Sequence, residues 1–546
     1  MQFAKNLIDP KKGEAKIGSA GWTSRSSEDI AADGYDLIER FESVAAFRAE
    51  DPAMYLRDPR TKRGEASRYL SLAFSDLRLE RDAWVKRFRS LGVSSEDRVL
   101  LWLPCGLAKV AAAHALLKMG AELGLADEAL ELPANYEGWN PTVAVVSSVA
   151  LGACRRAFGS QCEILEVRSP LLRLASAVKS SQMASDSASP LRSSVCCFSK
   201  SRRGEVERVR FEPRQIGLLL RTYESAFRIG SEDTEIATDA LSCVLFPSLG
   251  VCTAVVDAGF GTLEGDCWAG VASAVEELGV SRLRDDVEGW MRFLQACESR
   301  EMRFASVKQV FVETDTSLRQ SLCSRLRAAF PRAEFYSLFG VSAAPVAAVR
   351  PWPESGSASE KGEVGYAMGP LQAGLEARVT EWGNGSAGDR CEVKHGCVGE
   401  LRLQGPAVGQ LAGKTDEPLL AFRDEAGALR LCGRSSEVVR TSFGRYIPAR
   451  CEPVFERHEK VEMAKLVSLN AKAGIRPGIV IAVKEGELPR GKLAESKFKA
   501  ELLQLGAELE DTKLVLDFFF VERIPNLPRE SLSRRYSTLA KLKSLF

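Results

Sequence analysis

The stretch YDLIERFESVAAFRAEDP places Leu37, Ile38, Phe41, Val44 and Ala45 on one face at helical spacing, with polar residues between them. A second helix is predicted in LRLERDAWVKRFRSLGV, stopped by Gly92 in the manner of a helix C-cap. RVLLWLP is a short, continuous apolar run, the pattern of a buried strand. GLAKVAAAHALLKMG reads as a helix closed by Gly120, and AELGLAD as a short strand after it. Strand, helix and strand in that order predict a βαβ unit, a parallel pair joined by a right-handed crossover. TVAVVSS (Thr142 to Ser148) is a further apolar strand.

The alternation resumes downstream. ALSCVLFPS and CTAVVDAG read as strands, CWAGVASAVEELG as a helix, VKQVFVET as a strand and SLRQSLCSRLRAAFP as a helix. From about Gly365 the pattern turns strand-rich, with GLEARVTEW and GELRLQGP. A smaller α/β segment starts near Gly433 and holds EMAKLVSL, GIVIAVKEG, the helix KLAESKFKAELLQLGA and the strand LVLDFFFVERI. Repeated β-then-α units predict an α/β protein whose sheets are covered by helices.

With 546 residues the chain exceeds one ordinary core, so two to four domains are expected. Hydrophobic residues at 45% and charged residues at 27% fit a globular protein. Basic and acidic residues number 74 and 73, a balance that argues against a dedicated nucleic-acid binder. The short basic runs KSRR and RRYSTLAKLK accordingly read as solvated faces. The 14 cysteines are scattered, which predicts buried free thiols in a reducing intracellular compartment. CEVKHGC (Cys391, His395, Cys397) lacks the paired CxxC of a zinc site and reads as a polar turn between strands; no metal site is expected. No apolar run reaches membrane-spanning length. The first thirty residues form an irregular arm without the apolar stretch of a secretory signal. Their basic residues and serines suit weak organelle import, on the mitochondrial matrix side. The Ser-rich SSQMASDSASPLRSS reads as an exposed loop, and His114 as a packed core histidine.

In their order, these pieces resemble the adenylate-forming superfamily of acyl-CoA synthetases, peptide-synthetase adenylation domains and luciferases. The resemblance runs from about Tyr35 to the C-terminus. It rests on SLGVSSEDRVLLWLPCGLAKVAAAHALLKMGAELGLAD, EFYSLFGVSAAP, EVGYAMGPLQAGLEARV, GCVGELRLQGPAV and DEAGALRLCGRSSEVVRTSFGRYIPARCEPVF, five matches in the correct order. Within the superfamily, LFPSLGVCTAVVDAGF and IPNLPRESLSRRYSTLAKL look most like the β-lactone synthetases of bacterial olefin synthesis. The resemblance implies an N-terminal arm (1–30), a large domain of two α/β subdomains plus a β region (31–432), and a small α+β lid (433–546). It also implies a chemistry. ATP and a carboxylate give an acyl-adenylate and pyrophosphate, which requires a glycine-rich phosphate loop, a Mg²⁺-binding carboxylate, a ribose-binding aspartate and a lysine.

The residues at the matching positions depart from those requirements. The phosphate loop falls on FSKSRRGEVERVRF: Phe198 stands at the family's tyrosine, Ser199 at its threonine, and Ser201 and Gly204 at its first two glycines. Glu207 takes the place of the loop lysine and Arg208 that of the third glycine. Losing glycines removes the positive-φ freedom that wraps a triphosphate, and an acid in place of lysine repels phosphate. In the Tyr-Gly-x-Thr-Glu motif, Phe339 and Gly340 match Tyr-Gly and Ser342 the threonine; Ala343 stands at the metal-binding glutamate. Leu419 occupies the ribose-aspartate position and Ser533 that of the catalytic lysine, while Gly433 and Arg434 are kept at the hinge. The expectation is a catalytically inactive member without cofactor, recruited as a structural subunit of a larger protein assembly, its lid fixed in one orientation. The alternative is a divergent ligase using ATP and Mg²⁺, with Arg202 and Arg203 as phosphate contacts. A retained acyl or lipid pocket is the third reading.

Overall fold

The structure, a computed structural model, describes residues 36–58, 68–128, 130–132, 138–168, 193–200, 205–237, 239–256, 267–298, 302–352, 364–382, 391–412, 417–471, 474–525 and 529–543. All of these fall in one compact unit, Gly34–Phe546. The arm and the Ser-rich stretch 180–192 lie outside the described residues.

The predicted βαβ unit is present. Arg98–Trp102 and Glu122–Ala126 run parallel in register from Arg98↔Glu122 to Trp102↔Ala126, joined by the helix Leu107–Met119. Gly92 and Gly120 stop their helices at φ 76° and 83°, values that residues with a Cβ reach only under strain. The helix Leu107–Met119 is buried on every side, because its Ala, Val and Leu positions face both the sheet below and other helices above. These strands belong to a seven-stranded sheet in the order Gln410–Ala412, Val206–Phe211, Val195–Lys200, Glu122–Ala126, Arg98–Trp102, Val143–Ser147, Glu163–Val167.

A second, eight-stranded sheet runs Ala344–Pro351, Glu334–Val341, Gln309–Glu313, Arg282–Asp286, Thr234–Ile236, Cys252–Val255, Pro52–Arg57, Tyr69–Ala73. A five-stranded antiparallel sheet gathers Tyr366–Ala367, Leu429–Arg434, Leu419–Arg423, Gly399–Gln404 and Glu376–Thr380. The C-terminal part is a three-stranded sheet, Val461–Ala471, Gly474–Val483 and Asp517–Val521, with the helices Pro448–Glu456, Lys492–Gly506 and Arg529–Lys543. This is a mixed α/β protein with layered sheets and helices, as the sequence pattern predicts. Among the described residues no helix is long and apolar enough to cross a membrane.

One element differs from its prediction. ALSCVLFPS is not a strand: Ala240–Leu245 is helical and Phe246–Leu249 continues it as a 3₁₀ turn. Asp239 caps the helix, its Oδ1 accepting from the Ser242 amide at 2.8 Å. Ser242 to Leu249 are all buried, so the segment has no polar face, and periodicity cannot separate a buried strand from a buried helix. CTAVVDAG does form a strand over Cys252–Val255. CEVKHGC lies between the strands Glu376–Thr380 and Gly399–Gln404, with Cys391 and Cys397 exposed and the Cys397 amide donating to the Lys394 carbonyl, a polar turn as read. His114 is fully buried.

Candidate nucleotide site

The stretch FSKSRRGEVERVRF spans the ends of two antiparallel strands. Val195–Lys200 pairs with Val206–Phe211, setting Phe198 opposite Arg208 and Ser199 opposite Glu207. Phe198 is buried against Trp139, while Ser199 is exposed. Ser201, Arg202, Arg203 and Gly204 lie outside the described residues. Alternation along Val206–Phe211 turns Glu207, Val209 and Phe211 inward. Glu207 is therefore an acid only 2% exposed.

The second motif reaches it. Glu334–Val341 and Ala344–Pro351 are antiparallel, closed by the two-residue turn Ser342–Ala343. Ser342 Oγ donates to Glu207 Oε2 at 2.7 Å. The Ala343 carbonyl accepts from the Gly409 amide at 2.7 Å, tying the turn to the segment that leads into Gln410–Ala412. That strand pairs in turn with Val206–Phe211. Gly340 has no room for a side chain, since a Cβ there would sit 2.2 Å from the Pro345 carbonyl oxygen. Phe339 is buried in an apolar cluster that includes Tyr366, Val379, Leu419 and Leu431.

Leu419 thus serves as core, opposite Arg434 across its strand pair. Arg434 binds Asp315 through Nε and Nη2, both at 3.2 Å, and its amide donates to Glu437 Oε2 at 2.9 Å. Gly433 just before it has φ 84° and lies so close to Glu437 that a Cβ would meet Oε2 at 2.2 Å. Ser533 is engaged elsewhere. It lies on the helix Arg529–Lys543, and its Oγ accepts from the Ser468 amide at 3.1 Å, fastening that helix to the strand Val461–Ala471. Its neighbours offer no substitute cation in the same direction: Leu532 is buried, and Arg534 is largely exposed.

Sequence reasoning missed a polar group at the carboxyl ends of the strands, where ligands of open α/β sheets sit. The fully buried Lys109 reaches Asp127 Oδ1 at 3.1 Å. Arg284, also buried, donates to Tyr223 Oη at 2.9 Å and Ser242 Oγ at 2.7 Å, and pairs with Asp239 and, at 3.3 Å, with Glu313. A lysine inside the otherwise apolar AKVAAAHALL and arginines inside the strand RLRDD were the available signals.

The fold defined by these sheets and the small C-terminal part is that of adenylate-forming acyl-CoA ligases. MatB from Rhodopseudomonas palustris superposes with a TM-score of 0.67 at 13% identity, covering 92% of this chain and 99% of MatB. The Mycobacterium tuberculosis fatty acyl CoA synthetase gives 0.61 at 14% identity, with 92% and 99% covered. The anthranilate CoA ligase AuaEII, solved in complex with anthranoyl-AMP, gives 0.63 at 15% identity, with 96% and 100% covered. No family model matches the sequence, and no curated protein matches it. At these identities the likeness is one of fold.

Proposed function

We propose that this chain is a non-catalytic protein on an adenylate-forming scaffold, serving as a structural or accessory subunit of a larger protein assembly. The observation that carries the reading is Glu207, a buried carboxylate at the phosphate-loop lysine position whose oxygen is already occupied by Ser342. Adenylation needs donors and cations preorganised where phosphate charge develops. Here that place holds an acid, and Ser342, the hydroxyl of the neighbouring motif, points at the acid.

Three further positions support the same reading. Ala343 offers no atom to a metal, Leu419 packs in an apolar cluster, and Ser533 is spent on a backbone amide of its own sheet. Each preorganised group of this kind is worth about 3 kcal/mol or more in the transition state, so losing four leaves little catalysis. The scaffold itself persists over nearly the whole chain. We take Gly433 as the boundary between a large part and a lid-like part, and the β-lactone synthetase branch as the origin of the scaffold. A mitochondrial setting for the assembly rests on the composition of the first thirty residues alone.

The competing reading is a ligase that has rebuilt its phosphate site with Arg202 and Arg203. Pyrophosphate release separates the two. The purified chain, given ATP, Mg²⁺, coenzyme A and a panel of aliphatic, aromatic and β-hydroxy acids, is expected to stay at background, with no thermal shift from ATP and Mg²⁺. Turnover with any of these acids overturns the proposal and establishes the ligase.

A further inference from the structure

We propose that the strand Asp517–Val521 is a self-association edge, on which the same strand of a second copy of this chain lies antiparallel about a two-fold axis at Phe520. The strand ends the three-stranded sheet. Gly474–Val483 pairs with it in parallel on one side, from Gly478↔Asp517 to Ala482↔Val521, and among the described residues no strand pairs with it on the other. Helices close both faces. Phe498, on the helix Lys492–Gly506, stacks on Phe520 with ring centres 4.9 Å apart. Tyr536, on the helix Arg529–Lys543, packs on Phe519 at 5.0 Å. The sheet can therefore grow only along its edge.

Sheet edges are ordinarily kept from pairing by lysine, proline or a bulge. The stretch LVLDFFFV holds neither lysine nor proline. Its aromatic and apolar residues favour a pleated ladder. Leu514 and Leu516, just before the strand, are 51% and 52% exposed. Its one charge, Asp517, is bound to Arg476, Nε to Oδ2 at 2.8 Å.

A strand edge offers its backbone groups to any other strand, so the side chains select the occupant. Here the residues Leu516 to Ile524, LDFFFVERI, complement themselves when two copies run in opposite directions. An axis at Phe520 sets Asp517 opposite Arg523 of the second copy, Phe519 opposite Val521 and Leu516 opposite Ile524. Opposite charges and aromatic–β-branched pairs both stabilise an antiparallel ladder when they face each other across it. Arg523 is exposed and makes no ion pair among the described residues. A carboxylate has room for about four hydrogen bonds, so Asp517 can take Arg523 alongside Arg476. Moving the axis one residue either way destroys the match. At Phe519, Leu516 meets Glu522; at Val521, Phe519 meets Arg523.

The pairing lengthens the strand past Val521, and Pro525 ends it, because proline has no N–H to give a ladder. The contact uses the same residues on both copies, so it closes as a dimer and joins the two sheets into one. It does not depend on whether the chain is catalytic.

Sedimentation velocity of the whole purified chain, from nanomolar to tens of micromolar, is expected to show a monomer–dimer equilibrium. Leu516→Lys sets a charge against Ile524, and Arg523→Glu sets an acid against Asp517. Symmetry repeats each change, so each variant should raise the dissociation constant about tenfold or more. Both replaced side chains are exposed, so the thermal midpoint should hold. In the unmodified chain, amide hydrogen exchange over residues 516–524 should slow as concentration rises. A chain that stays monomeric refutes the proposal, and that is also the outcome if a strand of a different protein takes this edge. A dimer that neither variant weakens, or whose protection falls outside 516–524, refutes it too. The exchange measurement decides the matter even if a variant does not fold.

Discussion

Asp285 and His114 set opposing slopes in the pH dependence of stability. Burial drives the Asp285 carboxyl up to about 8, with Asp286 and Glu313 adding to it and the Asp286 amide and Arg284 opposing. Burial drives the His114 imidazole down to about 4 despite its bond to Val244. For Asp285 the folded state holds a proton that the unfolded chain has released. Its contribution is whole below the unfolded value of 3.8, declines as pH rises, and is gone above about 8. For His114 the unfolded chain binds the extra proton, so stability is lost as pH falls from 6.5 to about 4. Each slope is about 1.4 kcal/mol per pH unit. They cancel below 6.5, and Asp285 acts alone from there to about 8. Urea titrations of the native chain should therefore show a loss of about 2 kcal/mol between pH 6.5 and 8, absent in Asp285→Asn. An unchanged slope in the variant would remove Asp285 as its source. None of this was legible beforehand: nothing along the sequence sets Asp285 apart from Asp286, and only the structure shows it packed against Gly289.

At the scale of elements, the C-terminal helices are held by polar side chains that reach strand backbones. Glu452, on the helix Pro448–Glu456, accepts from the Leu466 amide at 2.9 Å, from Arg529 Nη1 at 2.6 Å and from Lys465 at 3.2 Å. Burial raises its carboxyl, but Arg529 and Lys465 outweigh that and hold it below the ordinary range. One acid thus joins a helix, the edge strand Val461–Ala471 and the start of the last helix. Glu452→Ala is expected to cost about 3 kcal/mol by denaturant titration, because it strips two cations and a buried amide of their acceptor. A loss within the spread of ordinary surface substitutions, about 0.5 kcal/mol, would show that the contact carries no weight. Ser533 works the same way on Ser468, fastening the last helix to the strand Val461–Ala471. The helices and strands of this region were readable because each is long and periodic. ALSCVLFPS was not, because burial on all sides erased its period.

Across the whole molecule, the segments before and after Gly433 are joined by contacts of several kinds. Ser435 Oγ and Ser436 Oγ donate to Glu417 at 3.0 and 2.7 Å. Arg450 Nη1 donates to the Gly396 carbonyl at 2.8 Å, and its guanidinium lies 4.9 Å from the Phe422 ring centre. The Gly365 amide donates to the Ala449 carbonyl at 3.0 Å, and Arg445 stacks 4.8 Å over Trp382. Under the non-catalytic reading proposed above, a lid after Gly433 has no second state to stabilise. Small-angle scattering should give one profile, unchanged by ATP and Mg²⁺; a second compact population would refute a fixed lid.

The amino-acid sequence by itself determined most of the local elements, though not the helix at ALSCVLFPS, together with their α/β order and the residue types at each motif position. Those follow from short-range periodicity, turn residues and side-chain chemistry, which are written along the chain. Only the tertiary structure decided that Glu207 points inward onto Ser342, that Leu419 joins Phe339 in one apolar cluster, and that Arg284 reaches Tyr223 and Ser242. Each of these depends on elements far apart in sequence lying side by side. A register shift of one residue would turn Glu207 to the other face of its sheet.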